Sequence, residues 1–258
     1  MFLKSGICFE KPDRLTDITS WHGHIPFAFA IIEMLRPRVF VELGTHRGDS
    51  YCAFCQAVKA LKLDGVGCAV DTWEGDAQAG FYGAEVWKEF KDYHDPRYGG
   101  VSRLLKMPFD EALSCFPEKG IDLLHIDGLH RYEAVRHDFD AWRPKMSHRG
   151  VVLLHDTTVH EQDFGVWRLW EELRDRYPSF EFTHAHGLGV LGVGDDLPEA
   201  VRFLLELSEQ DGIWIRGLFS ALGERIVQGR QLQAEERQIR ALREEDLRSA
   251  GKGEASGG

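Results

Sequence analysis

Two polar clusters, each directly after an apolar run, contain the residues of this sequence best suited to chemistry. The run IDLLHI ends in Asp127, with His130 three residues later, and the run VVLL ends in His155 and Asp156. Two carboxylates can hold a divalent cation, which gathers neighbouring oxygens and lowers the pKa of a hydroxyl. An imidazole, with an ordinary pKa of about 6.5, can accept a proton near neutral pH.

Each of these residues also has a structural alternative. Asp127 and Asp156 can cap turns, His130 can cap a surface helix, and His155 can be a strand-end histidine whose hydrogen bonds are satisfied locally. Turn capping alone does not explain why both aspartates follow strands that are expected to be neighbours. Their joint placement therefore favours the chemical interpretation.

A second candidate site is the glycine-bearing turn within residues 38–50, RVFVELGTHRGDS. The apolar run VFVEL ends at Gly44, and a helix is expected soon after Gly48. Glycines let a backbone approach a ligand closely, and the start of a helix offers free N–H groups. Glu42 is the unusual member, because a carboxylate in an apolar strand needs a donor partner. Taken alone, the turn could also be purely structural.

The strand expected over residues 65–70 ends in Asp71. In doubly wound sheets, an acid at the end of the second strand accepts hydrogen bonds from ribose hydroxyls, and it follows the glycine turn by roughly 20 residues or more. Capping is the alternative role for Asp71. The aromatic segment 72–100 that follows could be a lid over a ligand or an ordinary helix near residues 84–93.

The elements that must position these residues alternate between apolar strands and amphipathic helices. This alternation predicts an α/β fold with a doubly wound, mostly parallel seven-stranded sheet whose last two strands are antiparallel. The remaining strands are expected over 39–43, 101–105, 121–127, 150–154, 180–183 and 189–193. A C-terminal helical extension follows, with further helices over 196–227 and a charged helix and disordered tail over 228–258.

Composition limits the function further. The chain has 258 residues, 43% of them hydrophobic, and a formal net charge of −11. That charge argues against a nucleic-acid partner, since phosphate binding needs clustered Lys and Arg. The five cysteines are odd in number and indicate no disulfide framework. No apolar run is long enough for a membrane span and no secretory signal is evident, so a soluble, cytoplasmic protein is expected.

The motifs VELGTHRGDS, IDGLHRYEAV and VVLLHDTT, together with Asp71, resemble class I S-adenosylmethionine-dependent methyltransferases over roughly residues 20–195. The resemblance is greatest to small metal-dependent O-methyltransferases related to catechol, macrolide-sugar and cephalosporin-pathway enzymes. It implies a Rossmann-like methyltransferase domain over residues 21–195, preceded by an N-terminal segment over 1–20. It also implies methyl transfer from S-adenosylmethionine to a hydroxyl of a small-molecule or glycan acceptor, a sugar or natural-product intermediate.

The resemblance also implies roles for individual residues around the cofactor. Asp71 would bind the ribose hydroxyls, Trp73 would flank the adenine, and Glu42 would hold the amino group of the methionine part or the turn that does so. The full set of implied cofactor-binding residues is Glu42, Gly44, Thr45, Gly48, Ser50, Asp71, Trp73 and Asp127.

For the chemistry, the resemblance makes His130 the base that deprotonates the acceptor. Asp127 and Asp156 would be the carboxylate ligands of a divalent metal, with magnesium expected. Metal-dependent relatives commonly have Asp or Asn directly after the second carboxylate, whereas this chain has Thr157. His155 or water would then complete the metal shell, or the metal would be lost.

Two other functions remain open from the sequence. A nicotinamide-dependent oxidoreductase would also use a strand, a glycine turn and a distant acid, although GTHRG lacks the G-x-G-x-x-G spacing of a pyrophosphate site. The second alternative is a methyltransferase-like module that binds without turnover, with the charged C-terminal helix mediating a homo-oligomer. The sequence does not identify the methyl acceptor.

Overall fold

A seven-stranded sheet with helices on both faces organises the chain. The computed structural model describes residues 4–76, 78, 80–161 and 163–254, with side chains through residue 244, so the first three residues of the N-terminal segment and the last four of the predicted tail lie outside it. The strands are Val39–Leu43 (β1), Val66–Asp71 (β2), Gly75–Asp76 (β3), Gly80–Phe81 (β4), Ser102–Lys106 (β5), Ile121–Ile126 (β6), Met146–His155 (β7), Ser179–Phe182 (β8) and Leu188–Gly192 (β9). The α-helices are Ile25–Leu35 (α1), Asp49–Ala60 (α2), Ala84–Tyr98 (α3), Phe109–Ala112 (α4), Tyr132–Trp142 (α5), Val166–Arg174 (α6), Glu199–Leu205 (α7) and Glu209–Glu254 (α8).

The strand order of the sheet is β5-β2-β1-β6-β7-β9-β8, and β3 and β4 form a separate hairpin. β5, β2, β1, β6 and β7 are parallel, while β9 is antiparallel to both β7 and β8. This confirms the predicted doubly wound, mostly parallel sheet. The order reverses between β1 and β6, so the crevice at the carboxyl ends of these two strands is where such a sheet binds ligands.

The central strands are apolar along their length because helices cover both faces. On one face, Phe40 of β1 and Leu123 of β6 belong to a core shared with α1, α2 and the first part of α8. On the other face, Val41 and Leu124 pack with α5 and α6. Burial on both sides explains the near-continuous apolar runs of these strands, as expected for parallel sheets.

Some element boundaries differ from the sequence-based expectation. α3 runs through Pro96 to Tyr98, past the expected end near residue 93, and its hydrogen bonding resumes with Gly99 N–H donating to the Asp95 carbonyl at 3.1 Å. α8 is one helix across residues 209–254 and runs unbroken through the boundary expected between 227 and 228. Its glycines discourage a helix prediction, but at Gly223 the helix contacts the chain so closely that a Cβ would lie 2.2 Å from the Gly23 carbonyl oxygen. Tertiary packing thus outweighs helix propensity there.

Among the described residues, no helix combines the length and the hydropathy that a membrane span requires.

Candidate active site

A cavity of about 870 Å³ opens at the carboxyl ends of β1, β2, β6 and β7. This volume lies in the upper part of the usual range for ligand pockets, roughly 300–1,000 Å³, and is enough for a cofactor together with a small acceptor. The N-terminal segment supplies part of the wall through Ile18, Ser20 and Trp21. The predicted site residues that line the cavity are Gly44, Thr45, Gly48, Ser50, Asp71, Asp127, His130, His155 and Asp156.

The β1–α2 turn needs its two glycines for packing as well as for ligand access. Gly44 has φ +84°, and a Cβ there would lie 2.1 Å from the carbonyl oxygen of Asp127. Gly48 has φ +79°, and a Cβ there would lie 2.1 Å from the ring of Phe90 on α3. Left-handed backbone together with such contacts admits only glycine. The turn is therefore seated directly against the end of β6.

Asp71 holds this turn from the end of β2. Its Oδ2 accepts the backbone N–H groups of Thr45 and His46, each at 2.8 Å, and its Oδ1 accepts the N–H of Trp73 at 2.7 Å. Asp71 also lines the cavity. Each carboxylate oxygen has a second lone pair, so a ligand hydroxyl could still donate to Asp71. Asp71 thus has the capping role that its sequence left open, because it fixes the shape of the turn.

Trp73 lies in the core, behind the pocket lining. Its indole N–H donates to the His46 carbonyl at 2.8 Å, and its ring stacks on Phe90 with centroids 5.9 Å apart. The structure therefore does not place Trp73 at the cavity surface, where the sequence placed it beside the adenine. Tyr82, which follows the β3–β4 hairpin, stacks on His46 at 4.8 Å and does line the cavity.

Glu42 also lies below the cavity and belongs to a buried network. Its Oε2 accepts the Nδ1–H of His125, its register partner on β6, at 2.8 Å. The Trp21 indole N–H donates to His125 Nε2 at 3.2 Å. Because an indole nitrogen can only donate, His125 Nε2 must be an acceptor, and the proton of the neutral ring is on Nδ1. Burial raises the pKa of Glu42, and the bond from His125 opposes that rise.

His125 and Trp21 were missed by sequence reasoning. The available signal was the histidine within the otherwise apolar strand IDLLHI, which is as unusual as Glu42 in VFVEL. Two polar residues in neighbouring buried strands need each other as partners. The contribution of Trp21 comes from a segment far away in sequence and carries no local signal.

The predicted catalytic residues meet where β6 and β7 end. His130 Nε2 lies 2.9 Å from Asp156 Oδ2 and 3.4 Å from Asp127 Oδ1. His155 Nδ1 lies 3.2 Å from Asp127 Oδ1 and 3.5 Å from Asp156 Oδ2. Two imidazoles therefore flank two carboxylates, and the four side chains that the sequence placed after two strands form one cluster.

Charge pairing dominates the protonation of this cluster. The carboxylates of Asp127 and Asp156 overcome the effect of burial and raise the pKa of His130 to about 9 and that of His155 to about 10. In turn, the imidazoles lower the pKa of both aspartates despite their burial. With nothing else bound, protons on the two histidines balance the two carboxylates.

The orientation of His155 is fixed from its other ring nitrogen. His155 Nε2 donates to the Ala185 carbonyl at 3.3 Å, and the same oxygen accepts the Nε2–H of His24 at 3.0 Å. Ala185 and His186 both have positive φ, at +47° and +71°. A histidine whose second N–H is bound to a backbone carbonyl is the usual arrangement of a metal ligand. His24 therefore supports His155 through the carbonyl that both side chains share.

Asp156 directly follows β7, and its φ of +64° is a left-handed backbone conformation. Such backbone at a non-glycine residue costs free energy and is concentrated at functional sites. Its N–H donates to the Gly187 carbonyl at 3.0 Å, so the turn after β7 is tied to the turn before β9. Thr157 is not among the residues that line the cavity, and its buried hydroxyl has no hydrogen-bond partner among the described residues.

The donor set is suitable for a divalent cation. One ligand atom each from Asp127, His130 and Asp156 lie within 4.8 Å of one another. His155 Nδ1 faces the same two carboxylates, as described above. The two carboxylates suit Mg²⁺ or Mn²⁺, and an imidazole among the ligands would also suit Zn²⁺ or iron. His130, which the sequence predicted only as a base, lies as close to the carboxylates of Asp127 and Asp156 as His155, which the sequence predicted as a metal ligand.

The β1–α2 side of the cavity is suitable for a cofactor. Thr45 is 4% exposed and lines the cavity, and its hydroxyl has no hydrogen-bond partner among the described residues. A buried hydroxyl normally has a partner, which a ligand's polar groups would supply here. Ser50 lines the same side from the first turn of α2.

Comparison with known proteins agrees with this site. Residues 41–157 match a family model described as a methyltransferase domain. Over 220 residues the chain is 45% identical to the uncharacterized protein y4gI of Sinorhizobium fredii. The matching region makes up 84% of this chain and 24% of that protein, so this chain spans about a quarter of the relative's length.

Two solved structures share the fold. A Staphylococcus aureus protein named as a candidate caffeoyl-CoA O-methyltransferase has a TM-score of 0.51 at 14% identity, covering 69% of this chain and 84% of that one. The S-adenosylhomocysteine-bound methyltransferase PaMTH1 of Podospora anserina has a TM-score of 0.50 at 11% identity, covering 71% and 91%. As the sequence motifs predicted, residues 41–157 match a methyltransferase domain, and the fold of the chain is shared with solved methyltransferases.

Proposed function

We propose that this protein is an O-methyltransferase that transfers the methyl group of S-adenosylmethionine to a hydroxyl of a sugar or natural-product intermediate, with assistance from a divalent cation. The observation that supports it most strongly is the cluster of two carboxylates and two imidazoles beside the β1–α2 turn, within one cavity. Methyl transfer to an alcohol is an in-line displacement that needs positioning of the oxygen and removal of its proton.

On the cofactor side, the β1–α2 turn and Asp71 would hold S-adenosylmethionine, whose sulfonium supplies an activated methyl group. Thr45 would offer its hydroxyl to the polar atoms of the cofactor, whereas the Ser50 hydroxyl donates to Glu42 and would offer its remaining lone pairs. Asp71 is already oriented by three backbone N–H groups, so it would present its remaining lone pairs without reorganising. Trp73 would contribute indirectly, by holding His46 at the cavity wall.

On the catalytic side, Asp127, Asp156 and His155 would hold the cation, which would lower the pKa of a nearby acceptor hydroxyl. His155 is assigned as the ligand because Ala185 anchors its second nitrogen. His130 is assigned as the base because its Nδ1 has no hydrogen-bond partner among the described residues to fix it as a ligand. The carboxylates of Asp127 and Asp156 raise the pKa of His130, and a bound cation would balance their charge. Nε2 of the neutral His130 could then accept the proton of the acceptor hydroxyl.

His130 is also held in place for this role. Its ring stacks on Phe164 with centroids 4.7 Å apart and planes 13° apart. Its backbone N–H donates to Gln78 Oε1 at 2.8 Å, and its carbonyl accepts the N–H of Gly165 at 2.7 Å. These contacts come from two different loops around the cavity. They keep the imidazole beside Asp127 and Asp156, where the acceptor hydroxyl would lie.

The nicotinamide alternative is set aside, because the matching family model is that of a methyltransferase. A non-catalytic module remains an outcome of the test below. The first experiment is calorimetric titration with S-adenosylhomocysteine, with magnesium and after chelation, followed by transfer assays with S-adenosylmethionine and a panel of catechol and sugar acceptors. Cofactor binding without transfer to any acceptor would favour the binding module.

Two variants separate the assigned roles. We expect His130→Ala to lower kcat by roughly 10²- to 10⁴-fold, as for loss of a general base, with an unchanged magnesium requirement. We expect His155→Ala to raise the magnesium concentration needed for half-maximal activity. Asp64→Asn, in the loop before β2 at the opposite edge of the sheet, is the matched control. A magnesium requirement that shifts only in His130→Ala would reverse the two assignments.

A further inference from the structure

One face of α8 carries most of the exposed apolar side chains of this helix. Through residue 244, the last whose side chain the structure describes, the large ones are Ile213, Trp214, Leu218, Leu232, Ile239 and Leu242, each 40% exposed or more. All of them except Ile213 belong to one series in which steps of four and three residues alternate. This series, here called the α8 stripe, consists of residues 214, 218, 221, 225, 228, 232, 235, 239 and 242.

A different face of α8 packs on the body of the protein. Phe219 is fully buried and contacts Phe27 of α1, and Leu222 packs against the same core. The Arg230 guanidinium is paired with the carboxylate of Asp17 in the N-terminal segment. None of these residues belongs to the α8 stripe, so the contacts that hold the helix leave the stripe exposed.

The alternation of four- and three-residue steps is the a/d pattern of a coiled coil, in which two helices meet along such a stripe. The α8 stripe extends for about 40 Å, since a helix rises about 1.5 Å per residue. A second copy of the chain presents the same stripe, and two copies related by a two-fold axis make reciprocal contacts. The sequence left open a homo-oligomer formed by this helix, and the charged members of the stripe distinguish the two possible orientations of the copies.

Arg225 and Glu235 are exposed members of the α8 stripe, and neither side chain forms an ion pair with another described residue. In a parallel, in-register pair, each would face its own counterpart in the second copy, which places like charges against each other at two levels of the contact. In an antiparallel pair centred on residue 230, Arg225 faces Glu235 of the second copy, and the two-fold axis repeats this pairing. Charge complementarity therefore favours the antiparallel orientation.

The apolar members of the stripe agree with the same alignment. Facing residues in an antiparallel pair are equally far from its centre, on opposite sides. With residue 230 at the centre, Ala221 therefore faces Ile239 of the second copy, and Leu218 faces Leu242. The stripe is thus complementary to itself in apolar surface as well as in charge.

Other antiparallel alignments are less favourable. A shift of one heptad in either direction would place a leucine, Leu218 or Leu232, against Glu235, whereas in the centred alignment Leu232 faces the uncharged Gln228. We propose that two copies of this chain associate through their α8 stripes as an antiparallel coiled coil, with the Arg225–Glu235 pairs setting its orientation and alignment.

The test measures the dimer dissociation constant of the full chain by sedimentation equilibrium, for the parent and for charge-reversed variants. Arg225→Glu and Glu235→Arg each convert both cross-pairs of the dimer into like charges, so each should raise the dissociation constant roughly tenfold or more at low salt. The double variant Arg225→Glu/Glu235→Arg restores opposite charges across an antiparallel contact. It should return the dissociation constant close to that of the parent.

Two charge reversals outside the α8 stripe are the matched controls. Arg240→Glu and Glu244→Arg make the same changes at exposed positions of the same helix and should leave the dissociation constant nearly unchanged. A parent chain that stays monomeric at every concentration would overturn the inference. Single reversals that act no more strongly than the controls would also overturn it, and this is the result that a parallel pair would give. A double reversal that does not restore association would overturn the Arg225–Glu235 pairing.

Discussion

Replacing Gly44 by alanine tests the claim that the β1–α2 turn is packed directly against the end of β6. In the structure, the added Cβ would lie 2.1 Å from the Asp127 carbonyl oxygen and 2.9 Å from the Gly128 nitrogen. These are backbone atoms, so no side-chain rotation relieves the contact. Either β1 and β6 separate or the turn changes shape, and both displace Asp127.

The magnitude has two parts. Left-handed backbone at an alanine costs about 1 kcal/mol relative to glycine, and overpacking against fixed atoms costs about 1–3 kcal/mol more. Gly80→Ala is the matched control, because Gly80 has nearly the same φ, +83°, and nothing within 4 Å of the added Cβ. We expect Gly44→Ala to lower the free energy of unfolding by about 3 kcal/mol. Gly80→Ala should lower it by about 1 kcal/mol.

The assay is urea unfolding followed by intrinsic fluorescence, with calorimetric titration of S-adenosylhomocysteine on the folded variants. For a chain of this size, a loss of about 3 kcal/mol corresponds to a fall of roughly 6–12 °C in Tm. Gly44→Ala should also weaken cofactor binding, whereas Gly80→Ala should not. If both variants lose the same stability, the contact with Asp127 does not restrict the turn and the reasoning fails.

Three further predictions follow from the buried polar groups. The folded protein raises the pKa of His130 and His155 above the ordinary 6.5, so their stabilising effect is complete below about pH 6.5 and is lost as pH rises through about 9 and 10. The Tm measured with chelator should therefore fall over that pH interval. In His130→Gln the fall in Tm should be smaller. Glu42→Ala should cost about 1–3 kcal/mol in urea unfolding because the buried N–H of His125 loses its acceptor, whereas Glu42→Gln, which retains an acceptor oxygen, should cost clearly less. His24→Phe removes one of the two donors that fix the carbonyl orienting His155, so kcat should fall while S-adenosylhomocysteine affinity stays unchanged; an unchanged kcat would contradict that positioning role.

The sheet was predictable from the sequence because its central strands are buried on both faces. Runs such as VFVEL and VVLL read as strands without any help from distant residues, and the polar residues that end them mark the carboxyl edge. The four side chains that cluster after β6 and β7 were found for the same reason.

The details that the sequence did not give depend on contacts between distant residues. The His125–Trp21 bond joins residues 104 positions apart. The orientation of His155 depends on Ala185, whose carbonyl is aimed by a left-handed turn that no composition signal identifies. The family resemblance implied that Trp73 flanks the adenine, whereas in the structure its ring packs against Phe90 of α3. The sequence shows which residues are neighbours along the chain, but it does not show where their side chains point.

The N-terminal segment forms part of the cavity wall, so removing or exchanging it would change the site. A fragment beginning at β1 would keep all nine strands, yet it would lack Trp21, whose indole N–H sets the tautomer of His125, and His24, which shares a carbonyl with His155. Ile18 and Ser20 of the cavity lining would be lost as well. Exchanging residues 4–24 between related chains would therefore replace one part of the cavity wall while leaving the sheet intact, so this segment is a unit through which the cavity can be varied separately from the sheet.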